Sequence, residues 1–199
     1  MKILAASDLH GSGILASRLA ERAALENVDV VILCGDITHF DQEAKNILRP
    51  FILLNKKVLL IPGNHDTLAG INTLADIYKV KNIHGSSVRY GDVGIFGCGG
   101  ANIGPHTFLS DNEMLDLLKG AFSRIAYLPK KIMVTHLHPA GSLIERLSFP
   151  GGKGLRHAIR LFKPDILFCG HIHECEGLEE SIDSTKVVDV GRTGTIIEI

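Results

Sequence analysis

Neither sign of charge dominates this sequence. Its 199 residues carry 21 Lys and Arg against 22 Asp and Glu, so the basic excess that neutralises a long run of nucleic-acid phosphates is missing. That excludes a long nucleic-acid footprint but not a nucleotide or a short oligomer. A membrane-spanning run is missing too, since no apolar stretch approaches the roughly 20 residues needed to cross a bilayer. Ile3-Leu4-Ala5-Ala6-Ser7 passes directly into polar residues and is too short for the apolar region of a signal peptide. The chain is therefore expected to be cytoplasmic. The four cysteines (Cys34, Cys98, Cys169 and Cys175) form no CxxC pair and no zinc-finger spacing, which predicts reduced thiols in the core or near the site. The glycine-rich stretch Gly97 to Gly104 matches neither a Walker loop nor a dinucleotide fingerprint. No repeat, low-complexity tract or linker marks a boundary. With 45% hydrophobic residues the length suits one domain spanning residues 1–199.

What the sequence does have is histidine, ten residues of it, and histidine is the commonest side-chain metal ligand. Several of the ten follow apolar runs of strand length. Ile3–Ser7 reads as a first strand followed by Asp8-Leu9-His10, and Val28–Leu33 as a second followed by Cys34-Gly35-Asp36. Val58–Ile61 reads as a third, followed by Pro62-Gly63-Asn64-His65-Asp66. Between them the spacing predicts helices. One runs from Gly13 to about Glu26, with Leu15, Leu19 and Ala23 stacked at i, i+4 and i+8. Another occupies the first part of Phe40–Leu54, where Pro50 should kink or break it. A third carries Leu68, Ile71, Ala75 and Tyr78. This alternation points to parallel strands joined by crossover helices. The near-continuous apolar strands suit a sheet buried on both faces.

The second half changes character. Val88–Tyr90 and Val93–Cys98 flank Gly91-Asp92 and predict a hairpin. Ser110 and Glu113 form a capping box before a helix bearing Met114, Leu117, Leu118, Ala121 and Ile125. Lys131–Thr135 reads as a strand ending in His136-Leu137-His138-Pro139. Ala140–Gly154, with Pro150 and several glycines, reads as a long mobile loop. Leu155, Ile159 and Phe162 mark a further helix. Asp165–Cys169 is a strand ending in Gly170-His171-Ile172-His173, and Lys186–Val190 and Thr195–Ile199 read as two closing strands.

Taken singly, these clusters are ordinary: Asp-x-His is commonly a helix cap beside a surface histidine, and Gly-Asp is a common turn. Jointly they are not, because strand ends are where α/β folds place their sites. If all five share one sheet edge, two carboxylates (Asp8, Asp36), one amide (Asn64) and four imidazoles (His10, His136, His171, His173) converge. That is the ligand count for two divalent transition-metal ions with one carboxylate bridging. Nitrogen and oxygen donors without thiolate suit manganese first, or iron, zinc or nickel, rather than magnesium, calcium or copper(I). His39, His106 and His157 read as surface or rim residues, and His84 as a strand-end residue without chemistry. Cys34 and Cys169 read as packing residues. Arg146, Arg156 and Arg192 are candidates for steering a phosphate.

Through this motif series the chain from Asp8 to His173 resembles the calcineurin-like metallophosphoesterase superfamily. With its compact length and the wording Ile61-Pro62-Gly63-Asn64-His65-Asp66, it is similar to the small Icc-related phosphoesterases of prokaryotes. The resemblance implies an α/β fold in four layers, α/β/β/α, with mixed sheets. It implies one metal held by Asp8, His10, Asp36 and His173, and a second held by Asp36, Asn64, His136 and His171, Asp36 being the bridge. It gives His65 the role of acid at the leaving oxygen and Asp66 that of orienting the His65 imidazole. His138 competes with His136 for the ligand position, and the family pattern favours His136.

Protein phosphatases of this superfamily carry an arginine directly before Gly-Asn-His, where this chain has Pro62. A diester bears one charge fewer than a monoester dianion and needs less positive clamping. Hydrolysis of a small phosphodiester or nucleotide-like substrate is therefore expected, with Gly97–Gly104 and Ala140–Gly154 as the selecting rim. The alternatives are a phosphomonoesterase or nuclease of the same superfamily, or a non-catalytic metal-binding scaffold such as the retromer subunit with this fold. A nuclease would need a basic surface, and a scaffold is expected to lose site histidines. The oligomeric state is left open.

Overall fold

The computed structural model describes residues 1–42 and 46–199. Its first half runs β1 (Lys2–Ala6), α1 (Gly13–Leu25), β2 (Val30–Leu33), α2 (Arg49–Leu53), β3 (Lys57–Leu60), α3 (Leu68–Tyr78) and β4 (Lys81–Asn82). The hairpin β5 (Ser86–Tyr90) and β6 (Val93–Cys98) follows, then α4 (Asp111–Ser123), β7 (Lys130–Thr135), α5 (Leu143–Arg146) and α6 (Lys153–Phe162). The chain closes with β8 (Ile166–Cys169), β9 (Glu179–Ile182), β10 (Thr185–Asp189) and β11 (Thr195–Glu198). The capping box at Ser110 and Glu113 is formed. Ser12 and Thr67 cap α1 and α3 in the same way, each accepting a backbone N–H three residues on.

Two sheets result. One has the order β11-β1-β2-β3-β4 and the other β5-β6-β7-β8-β10-β9. β1, β2 and β3 are parallel neighbours, as are β6, β7 and β8. Side chains alternate across each strand, and both faces are covered. Ile3, Ala5, Val30, Ile32, Leu59 and Ile61 pack between the sheets with Ile132, Val134, Ile166 and Phe168. Their neighbours Leu4, Ala6, Val31, Leu33, Val58 and Leu60 pack with residues of α1, α2 and α3. Met133, Leu167 and Cys169 pack with residues of α4 and α6. The layers are therefore α/β/β/α with mixed sheets, and two-sided burial is why the strands read as unbroken apolar runs. Among the described residues no helix is long and apolar enough to cross a membrane.

Several stretches depart from the sequence reading. Helix was expected in the first part of Phe40–Leu54, but α2 lies at its end, with Pro50 in the first turn, where a missing N–H breaks no helical bond. Phe40 and Asp41 both have φ of +55°, outside the helical region; residues 43–45 lie outside the described residues. Ala140–Gly154 is not featureless either. Ser142 caps α5, and the Glu145 carboxylate accepts from the backbone N–H groups of Gly141 and Gly151, folding the segment onto itself. The two closing strands join different sheets, β10 beside β8 and β11 beside β1. β9 went unforeseen because Glu179 and Glu180 disguise an edge strand, where charge is tolerated.

Candidate metal centre

β1, β2, β3, β7 and β8 all end at one edge, and the five polar clusters meet there. Local geometry bends them inward. Asp8, His10, Asp36 and His171 have φ of +59°, +43°, +49° and +76°, a region sparsely used by residues other than glycine. Glycines make the room: a Cβ on Gly63 would overlap the Asp36 carboxylate, and one on Gly35 (φ +99°) would meet His136 Nδ1 at 2.5 Å.

Each carboxylate divides its two oxygens. Asp8 Oδ2 accepts from the His171 backbone N–H at 3.1 Å, tying the two sheets together. Asp8 Oδ1 is buried without a hydrogen-bond partner and lies 3.4 Å from His173 Nε2 and 3.9 Å from His10 Nε2. Asp36 Oδ1 accepts from the His65 N–H at 2.9 Å. Asp36 Oδ2 faces His136 Nε2 at 3.5 Å and His10 Nε2 at 3.7 Å. His10 and His173 bring their Nε2 atoms within 3.2 Å. His136 Nε2 is 3.0 Å from Asn64 Oδ1 and 3.3 Å from His171 Nδ1. All seven expected ligands are thus in one cluster.

Lone pairs facing one another across 3–4 Å call for a cation between them. Two groupings, Asp8–His10–His173 and Asp8–Asp36–His136, each place their ligand atoms within 4.8 Å of one another. An orphaned buried carboxylate oxygen beside imidazole nitrogens fits a divalent ion of the transition series. Without a metal, protons carry the compensation. Burial alone would lower the His136 pKa, but the Asp36 charge and hydrogen bond raise it to about 10. Burial and the charge on His136 lower His171 to about 4. Burial works against the ionised forms of Asp36 and Asp8, yet their imidazole partners hold both below the ordinary carboxylate range.

Asp66 does not orient His65. Its oxygens accept from the backbone N–H groups of Ile37, Thr38 and Gly63 at 3.0, 2.8 and 2.9 Å and from the Thr38 hydroxyl at 2.6 Å, so both are engaged with the loop after β2 and the turn after β3. Asp66 is a positioning residue for those two segments. His65 has Nε2 3.9 Å from Asp36 Oδ2 and is packed instead by other rings. His39 stacks on it at 5.6 Å between centroids, and Phe40 and His10 lie at 4.8 and 4.9 Å.

His39 is therefore not an isolated rim residue; its ring nitrogen groups with those of His10 and His65 within 4.8 Å. Its position three residues after Asp36 was the available signal. Of the three arginines, Arg156 pairs with Asp183 at 3.6 Å, whereas Arg192 donates Nε to the Asp8 carbonyl at 3.0 Å. Arg192 lines a cleft of about 400 Å³ together with His39, His65, His10, Asp36, His171 and His173. His138 is buried outside the cluster and bonds the Phe149 carbonyl at 2.9 Å. Cys34 and Cys169 are free and buried, and burial pushes both thiols well above their usual pKa, consistent with packing roles.

Residues 1–175 match the model of the calcineurin-like phosphoesterases, and the chain belongs to that family. It is 29% identical over 197 residues to the uncharacterised protein MJ1162 of Methanocaldococcus jannaschii, covering 95% of this chain and 87% of that one. Among solved structures it is similar to TT1561 of Thermus thermophilus, with a TM-score of 0.78 at 18% identity over 96% of this chain and 90% of the other. It is also similar to a novel archaeal phosphodiesterase, with a TM-score of 0.54 at 23% identity over 96% and 84%. These likenesses show a common fold, and family membership places the chain among the phosphoesterases.

Proposed function

We propose that this chain hydrolyses small, nucleotide-like phosphodiesters with two divalent transition-metal ions. One observation carries the reading. Asp8 Oδ1 is buried and unpartnered, while Asp36 Oδ2 lies between His10 Nε2 and His136 Nε2 at 3.7 and 3.5 Å. Asp8, His10, Asp36 and His173 would hold one ion, and Asp36, Asn64, His136 and His171 the other. The donor set favours manganese and also matches iron, zinc or nickel. When bound, such ions neutralise charge on phosphoryl oxygens and lower the pKa of a water toward neutrality.

The remaining chemistry belongs to the side chains around the cluster. His65, which lines the cleft, donates a proton to the leaving oxygen, its ring held in place by His10, His39 and Phe40. Arg192 is anchored through Nε and leaves its terminal amines for a phosphoryl oxygen. Pro62 adds no second cation before Gly63, so a single guanidinium suits the single charge of a diester.

The test is turnover of bis(p-nitrophenyl) phosphate and p-nitrophenyl phosphate by the manganese-loaded protein. Diester hydrolysis is expected, reduced about 100-fold or more in His65→Ala. Faster monoester turnover would shift the reading to a monoesterase. No turnover with any metal, despite two bound ions, would leave a binding scaffold. Less than one transition ion per chain after loading would count against the two-metal centre.

A further inference from the structure

A second cavity, of about 290 Å³, opens beside the metal centre, and His171 lines both. Its other walls are Asn102, Ile103, Phe149, Pro150 and Ile172. No carboxylate, ammonium or guanidinium is among them. Ile103 is 63% exposed, a large apolar side chain left open beside a polar centre.

Both walls are built on the motifs of the metal centre. The wall bearing Asn102 and Ile103 is pinned at Gly104, where the Asn64 side chain takes the space of a Cβ. Two bonds complete the attachment: the His106 N–H donates to the Asn64 carbonyl at 3.2 Å, and the Thr107 hydroxyl to the Asp66 carbonyl at 2.6 Å. The facing wall is pinned by His138, which donates Nε2–H to the Phe149 carbonyl at 2.9 Å. The Gly152 N–H donates back to the His138 carbonyl at 2.9 Å. The second histidine of His136-Leu137-His138 thus acts as the post that holds Phe149 and Pro150 in place.

From Asn102, Ile103, Phe149 and Pro150 beside His171 we infer that this cavity is the subsite for one organic arm of the diester, and that the arm is an uncharged, planar, nucleobase-like ring. The inference rests on the phosphodiesterase reading above. Ile103, Phe149 and Pro150 offer apolar surface to a ring. The Asn102 amide supplies both donors and an acceptor for a heterocycle's edge, which a purely aliphatic arm would not use. A second phosphate or a charged head group would find no counter-charge.

The experiment uses three p-nitrophenyl diesters whose other arm is methyl, phenyl or thymidine-5′. Wild-type kcat/KM is expected to rise from methyl to phenyl to thymidine, with an overall span of about 10- to 100-fold. Phe149→Ala and Ile103→Asp should each bring the thymidine-to-methyl ratio down to within a few-fold. Asn102→Ala should narrow the gap between thymidine and phenyl. The ratio, taken on one preparation, cancels any loss of folded or metal-loaded enzyme. A wild-type ratio near one, or a ratio that survives both wall variants, overturns the subsite. If no diester of any arm is hydrolysed, the phosphodiesterase reading fails, and calorimetry on the manganese-loaded protein judges the cavity by itself. Thymidine 5′-monophosphate binding about tenfold tighter than inorganic phosphate, with the advantage lost in both wall variants, supports the cavity. Equal affinities overturn it.

Discussion

Cys34 and His136 touch across the two sheets: His136 Nδ1 lies 2.8 Å from the Cys34 carbonyl oxygen. A carbonyl only accepts, so Nδ1 carries the ring's N–H and Nε2 is the atom turned to Asp36, Asn64 and His171. Backbone at the end of β2 thereby sets the tautomer of a histidine at the end of β7. The role of Cys34 is carried by its carbonyl, while its thiol packs.

With the proposed ligand set, metal loading is expected to be a proton exchange. With His136 raised to about 10 by Asp36 against the pull of burial, the metal-free protein carries a second proton on Nε2 at neutral pH. A divalent ion must displace it. Calorimetry in buffers of different ionisation enthalpy should show about one proton released from His136 as the ion held with Asp36, Asn64 and His171 binds, with affinity rising as pH rises through the neutral range. His136→Gln should abolish the release. An affinity independent of pH from 6 to 9 would contradict the exchange.

Arg192 should act on the substrate and leave the metals in place. Arg192→Ala is expected to raise KM for the diester by about 10- to 100-fold with a smaller change in kcat, while manganese stoichiometry stays at the wild-type value. Arg192→Lys should recover part of the loss, since it restores the charge but not the fork of donors. Normal kinetics in the alanine variant would remove Arg192 from substrate binding.

Asp66 should matter for architecture. An amide in its place sets N–H groups against the N–H donors of Ile37, Thr38 or Gly63, so Asp66→Asn is expected to cost on the order of 3 kcal/mol. The observable is a lower Tm together with weakened metal binding, because Asn64 and Asp36 sit on the two segments that Asp66 joins. A variant with wild-type Tm and a selective loss of kcat would restore the catalytic pairing with His65.

Asp189 should give the metal-free protein a pH-dependent stability. Neither of its oxygens has a hydrogen-bond partner among the described residues. Burial, reinforced by the charge of Asp8, raises its pKa to about 7, whereas an unfolded carboxyl titrates near about 4. Between these values the folded chain holds the proton and the unfolded chain does not. The stabilising contribution is complete below about pH 4 and is lost as pH rises through about 7. With a chelator present, Asp189→Asn should flatten that slope and raise Tm at pH 8. If the variant and wild-type stability curves run parallel from pH 4 to 7, Asp189 does not carry the effect.

The sequence by itself determined β1, β2, β3, β7 and β8 and the polar residue that follows each. A strand buried on both faces must be apolar without interruption, and Asp8, Asp36, Asn64, His136 and His171 become conspicuous at its end. The helix cap at Ser110 is equally local and equally legible; the Ser12 cap emerged only with the structure. Only the tertiary structure decided where side chains beyond the strand ends point. Asp66 stands next to His65 in the chain, yet besides the Gly63 N–H its donors lie 28 and 29 residues earlier, in the loop after β2. Arg192 reaches the Asp8 carbonyl across 184 positions because β10 and β11 belong to different sheets and the chain between them crosses the site edge. Periodicity records which face of an element is buried; the partner of a polar group depends on which loops the packed layers bring together, and no short-range pattern encodes that.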